Sequence, residues 1–297
     1  MRIAVTGGSG FIGSRLVQML LQEGYYVVVV DLNPPQSNQA VEVRIADVED
    51  LQDTKAALRG IDVVYHLAGP VVDAMRRNPY RGYRLQLNGT LNVLEACRQN
   101  GVRKVILASS FYVYDGLDPD MVVNEQTPLD IRRMEAFGAA KLMSEAMTME
   151  YSAKYGIQYV ILRYGSAYGW GNCTNVVKTF LETALRGEPI EVWGQGRRRN
   201  QYTYVDDIAA GSLLSLHSVN EVYNLISPEE TTTGELAALL KRRLGADVVY
   251  NTIQKEGPSM PYMSSRKAMQ QLGWKPITLE EGVERMLQQV QGNKQAG

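Results

Sequence analysis

Short apolar runs alternate with helical patterns through the first half of the chain. Arg2 to Thr6, Tyr25 to Val30, Val41 to Ile45, Asp62 to Leu67, Val102 to Ala108 and Ile157 to Arg163 are β-branched or apolar enough to be strands buried on both faces. Helical segments fall between them near residues 11 to 23, 50 to 59, 82 to 99 and 134 to 155. This alternation predicts an α/β protein with a doubly wound parallel sheet. After about residue 165 the rhythm changes. A glycine-rich loop, Tyr168-Gly169-Trp170-Gly171-Asn172, opens a helix to Arg186, followed by short strands and turns. Further helices are expected near 206 to 217, 233 to 244, 264 to 272 and 279 to 290, with Gly292 to Gly297 as a frayed tail. The organisation expected is a nucleotide-binding domain over 1–165, to which the chain returns around 201–226, and a smaller α/β substrate domain over 166–297. No internal repeat or low-complexity stretch is evident.

Composition narrows the classes. With 45% hydrophobic and 21% charged residues in 297, the chain is ordinary globular material rather than disordered. A formal charge of -1 gives no general attraction for nucleic acid, although the run Arg197-Arg198-Arg199 needs its own account. Cys97 and Cys173 have neither disulfide nor metal spacing, which fits a reducing compartment. His66 and His217 are too few for a zinc site built on several histidines. The chain begins at once with a strand, and no apolar run approaches the length of about 18 residues that suggests a membrane span. A cytoplasmic enzyme without membrane or nucleic-acid partners is the expectation.

The first chemical signal is Thr6-Gly7-Gly8-Ser9-Gly10-Phe11-Ile12-Gly13, between the first strand and the first helix. Gly7 permits the tight turn, Gly10 lets the backbone approach a pyrophosphate, and Gly13 allows close packing of helix on strand. The free amides that open the helix, at Phe11 and Ile12, then face the phosphates. Asp31, ending the second strand, suits a ribose diol and would repel a 2′-phosphate, so NAD is expected rather than NADP. Capping of the Asn33-Pro34-Pro35 turn is the competing role for Asp31. Asp47 and Val48 are candidates for the adenine edge, and Leu67 and Ala68 for the cofactor's middle. These signals together define a Rossmann dinucleotide site. His66 reads as a packed histidine at a strand end.

At this point the chain resembles the extended short-chain dehydrogenase/reductase superfamily, in its NAD-dependent epimerase/dehydratase branch typified by UDP-galactose 4-epimerase. The likeness spans nearly the whole sequence through Thr6-Gly7-x-x-Gly10-x-x-Gly13, Asp47-Val48, His66-Leu67-Ala68, Gly89-Thr90-x-Asn92, Ser109-Ser110-x-x-Val113-Tyr114, Gly138 to Glu145, Tyr204-Val205-Asp206-Asp207 and Leu272-Gly273-Trp274. The resemblance implies that Ser110 bonds the reacting sugar oxygen and that Lys141 holds the nicotinamide ribose and lowers the pKa of a catalytic phenol. It also implies a homodimer formed through the helices near 82 to 99 and 134 to 155. The phenol of the family's Tyr-x-x-x-Lys pair maps onto Phe137. Positions 137 and 141 lie one helical turn apart and project from one face.

A phenyl ring cannot carry a proton, and three readings of Phe137 stand: a Tyr-to-Phe inactivated form, a natural variant using another acid (Tyr112, Tyr114, Tyr164 or Tyr168), or an NAD-binding protein without catalysis. Asn172, Asn175, Val176, Arg197 and Arg199 are the substrate-site candidates. The register puts Asn200 and Gln201 where the resemblance implies Arg-Asp, with Arg197 or Arg199 able to substitute after a small shift, so an unusual nucleotide sugar or a non-nucleotide polyol stands open as substrate. Gln86 also stands where the family has an asparagine. Phe111-Tyr112 occupies the place of the Asp-Glu pair of 4,6-dehydratases, which disfavours dehydration. Epimerisation by way of a 4-keto sugar is the leading expectation, with dehydrogenase, ketoreductase or decarboxylase chemistry as the alternative.

Overall fold

The computed structural model of the chain describes residues 1–35, 41–171 and 175–295. Among them, seven parallel strands form one sheet: β1 (Arg2–Thr6), β2 (Tyr26–Asp31), β3 (Glu42–Ile45), β4 (Val63–His66), β5 (Lys104–Ser110), β6 (Gln158–Tyr164) and β7 (Glu221–Leu225), in the spatial order β7-β6-β5-β4-β1-β2-β3. The order reverses beside β1, and such a switch point opens a crevice at the carboxyl ends of the strands. Both faces of the sheet are buried, as its near-continuous apolar strands require. Ile3 and Val5 of β1 pack with Leu16, Leu20 and Ile208 on one side, and Ala4 packs with Val93, Leu94 and Ala96 on the other.

Helix α1 (Phe11–Gln22) covers the first face together with α6 (Val205–Leu214). Helices α2 (Leu51–Ala57), α3 (Gly89–Asn100) and α4 (Ala136–Tyr155) cover the second. β7 pairs along β6 in register from Glu221 with Val160 to Leu225 with Tyr164, so a late segment completes the sheet built by the first half. A separate core gathers α5 (Val176–Leu185), α7 (Thr233–Leu244), α9 (Leu279–Gln295) and the parallel pair Ile190–Trp193 with Val248–Asn251. Helix α8 (Arg266–Leu272) packs on β7.

The expected helix over 82–99 has a different form. Two short helices, Val72–Arg77 and Pro79–Tyr83, lead into a π-helical turn at Arg84–Asn88, after which α3 begins. The last helix also runs to Gln295, past the expected end at 290. No described helix is long and apolar enough to cross a membrane.

Candidate active site

The glycine turn is built to the tolerance of single atoms. Gly7, at φ 70°, donates its amide to Val30 O at 2.9 Å and accepts from Gly10 N at 3.0 Å. A Cβ on Gly13 would lie 2.1 Å from Gly7 O, so only glycine lets α1 start this close to β1. Gly10 caps α1 with no side-chain bond to its first amides, and no acidic residue sits in the first turn. The Phe11 and Ile12 end of the helix therefore keeps its donors and positive dipole for an anion. Asp31 accepts the amides of Ser9 at 3.0 Å and Asn33 at 3.4 Å, so its carboxylate is braced at the edge of the turn.

Leu67 and Ala68 come up against this turn. Leu67 N donates to Thr6 O at 3.0 Å, and Ala68 N lies 2.7 Å from where a Gly7 Cβ would be. Asp47 accepts Glu49 N at 2.9 Å, and Val48 O accepts Asn92 Nδ2 at 2.9 Å, which fixes the loop after β3 against α3. Gly171 closes over the Phe11 ring and thereby brings the loop after β6 to the nucleotide turn. Of the substrate candidates on that loop, Asn172 lies outside the described residues, as does Cys173. Asn175 caps α5, accepting Val177 N at 2.8 Å and donating to Ala167 O at 2.9 Å, with Val176 as the first residue of the helix.

Ser110, Phe137 and Lys141 are 8%, 8% and 7% exposed. Ser110 ends β5, its Oγ accepting Tyr112 N at 3.3 Å. The Lys141 ammonium donates to Ala108 O at 2.9 Å and stands 5.7 Å from the centre of the Phe137 ring. Burial pulls its pKa down to about 8, against the opposing pull of the Glu145 carboxylate. Below the site, Arg163 grips Glu145 through Nη2 at 2.8 Å and Nε at 3.0 Å, and Ser109 donates to the same carboxylate. His66 is buried with Nδ1 2.7 Å from Thr6 Oγ1, and burial depresses its pKa to about 3. It is a neutral member of the core and not a proton carrier near neutral pH.

The arginine run spreads in different directions. Arg199 is engaged by Asp120 at 2.7 Å and Pro119 O at 3.0 Å, and Arg197 is exposed. Arg198 donates Nε to Pro258 O at 3.2 Å and acts electrostatically on the Tyr112 phenol, as does Arg76. Arg76 did not stand among the candidates read from the sequence, and Arg198 entered only as the middle of the arginine run. Only the packing of distant segments brings them to this point. Gln86 is buried, donating to Ser144 Oγ at 3.1 Å, while its Oε1 has no partner among the described residues.

A glycine turn of this form at the switch point, an acid ending β2 and a buried lysine of α4 bonded to β5 fit a nicotinamide-dependent enzyme site. The chain belongs to the NAD dependent epimerase/dehydratase family, whose model matches residues 3–225. It is 31% identical to a protein of Methanocaldococcus jannaschii provisionally assigned as a UDP-glucose 4-epimerase, over 98% of this chain and 99% of that one. It is 30% identical to the UDP-glucuronate 4-epimerase of Thermodesulfobacterium geofontis, over 95% and 93%. The crystal structure of Thermotoga maritima UDP-glucose 4-epimerase with UDP-glucose superposes with a TM-score of 0.90 at 32% identity, covering 99% of each chain.

NAD is the cofactor, and the uncapped α1 amides, the Gly13 cradle and the braced Asp31 fit it. Gly13→Ala is expected to abolish measurable NAD binding by calorimetry, because the new methyl would press on Gly7 O. Unchanged affinity would place the pyrophosphate elsewhere.

Proposed function

We propose that the protein is a nucleotide-sugar epimerase of the 4-epimerase type, acting through a transient 4-keto sugar. The observation that carries the reading is the buried Lys141 ammonium, 2.9 Å from Ala108 O, with Ser110 ending the same strand. NAD supplies acceptance and return of the sugar hydride when bound. In this reading Lys141 holds the nicotinamide ribose and Ser110 donates to the reacting sugar oxygen. Residues 166–297 contribute the substrate wall, including Asn175 and the arginine run. Phe137 removes the acid-base oxygen from its usual place, so proton transfer is impaired while the rest of the site is kept.

The relationship to UDP-glucose and UDP-glucuronate epimerases supports a UDP-linked hexose or hexuronate as substrate. A homodimer through α3 and α4 is part of the proposal. Leu91 and Met143 leave large apolar side chains exposed on these two helices.

The test uses purified full-length protein with UDP-glucose, UDP-galactose and UDP-glucuronate in turn, followed by proton NMR of the products. Slow conversion at C4 is expected. Formation of a pentose nucleotide with release of carbon dioxide would favour the decarboxylase alternative. Failure of every sugar nucleotide to bind in calorimetry would sink the reading and favour an NAD-binding protein of another purpose.

A further inference from the structure

We infer that Tyr112 is the acid-base residue of this site, exchanging its phenolic proton with the sugar hydroxyl in place of the oxygen missing at Phe137. The inference rests on the epimerase reading above and assigns its proton step.

The structure separates the phenols near the strand ends. Tyr114 is fully buried, and its hydroxyl is committed to Arg163 Nη1 at 2.8 Å and Asn224 Oδ1 at 2.9 Å. Tyr164 is 2.9 Å from Ser212 Oγ on the α6 side of the sheet. Tyr168 is fully buried in the second core, where its hydroxyl abuts Gly282 of α9. Tyr112 alone of these is half-buried, and its hydroxyl makes no hydrogen bond with any described residue. Its ring meets Phe137 edge-on, with centroids 5.5 Å apart and planes at 85°.

The position of Tyr112 is imposed by the backbone. It sits in the 3-10 turn Phe111–Tyr114 that Ser110 caps, so the Ser110 hydroxyl and the Tyr112 ring are fixed on one turn. A Cβ on Gly138 would lie 2.2 Å from Tyr112 O. The absence of that methyl lets α4 pass over the turn and sets Phe137 against Tyr112. Burial raises the Tyr112 phenol above its ordinary value, the guanidiniums of Arg76 and Arg198 oppose that rise, and Glu135 and Asp115 add to it. Arg76 is itself tied to Glu135 at 2.8 Å.

The step balances. The phenol first loses its proton to solvent through its exposed edge. The sugar O–H bond would then break and its proton would bond to the Tyr112 oxygen, with bound NAD supplying acceptance of the C–H hydride as the C=O bond forms. On return Tyr112 would give that proton to the carbonyl oxygen while the hydride re-forms the C–H bond on the other face, with no net oxidation.

Four proteins test this: the natural chain, Tyr112→Phe, Phe137→Tyr and the double variant. Tyr112→Phe in the natural chain should lower kcat by about 10²-fold, with the calorimetric affinity for UDP-glucose and UDP-glucuronate changed by less than about threefold. With Phe137→Tyr present, the same substitution should cost less than about threefold in kcat, because the usual phenol then carries the proton. Equal losses in both backgrounds, or a loss confined to affinity, would make Tyr112 a binding residue and overturn the inference while leaving the epimerase reading intact. No turnover by any of the four would bring down both.

Discussion

Phe137→Tyr is expected to raise turnover by about 10²-fold, the lower range for restoring a positioned acid-base group, because Tyr112 supplies a poorer route in the natural chain. The new hydroxyl would extend from a ring already 5.7 Å from the Lys141 ammonium. That cation lowers a phenol from its ordinary value of about 10 toward neutrality. The pH profile should therefore change as well as the height. Lys141 has a pKa below its ordinary value, at about 8, so its charge is present below that pH and lost above it. Turnover by the variant should rise with pH as the phenol ionises and decline above about pH 8 as the ammonium is lost. Steady-state assays from pH 6 to 10 would check both limbs. No gain at any pH, with NAD retained, would show that position 137 does not face the reacting hydroxyl.

What the sequence made legible depends on how far apart the cooperating residues lie. The glycine turn could be read because strand, turn, helix and the acid ending β2 all fall in one short stretch. Phe137 and Lys141 could be related because helical geometry fixes residues one turn apart. The parallel sheet followed from strands apolar on both faces. The two helices over 72–83 were not legible, since each is shorter than two turns and has no period to show. Tyr112 was one of four equal tyrosines until the passage of Gly138 over its carbonyl set it beside Phe137. Arg199 was a candidate phosphate ligand from its chemistry alone. Its carboxylate partner, Asp120, lies 79 positions away, a pairing that only the fold creates. Local signals thus carry the reading of the cofactor side, while the substrate side is decided by long-range packing.

The same dependence on distant partners governs the second large effect. Glu145→Ala is expected to destabilise the fold by about 3 to 5 kcal/mol, measured by urea unfolding at neutral pH, because it leaves a buried guanidinium without its counter-charge. Glu145 and Arg163 are only 2% and 5% exposed, and their paired contacts at 2.8 and 3.0 Å join α4 to β6. Arg163 then reaches Tyr114, and Ser109 of β5 donates to Glu145, so one carboxylate braces the strand end carrying Ser110. The loss should fall when Arg163→Met accompanies Glu145→Met, since two apolar side chains leave no charge to desolvate. A single-variant cost below about 1 kcal/mol would mean that water or a rearranged partner compensates Arg163. The carboxylate also supports the Lys141 charge. Glu145→Gln, which keeps most of the shape, should therefore lower the Lys141 pKa below about 8 and move the alkaline limb of the Phe137→Tyr profile to lower pH. If that limb stays in place while stability falls, the pair braces the scaffold without tuning the lysine.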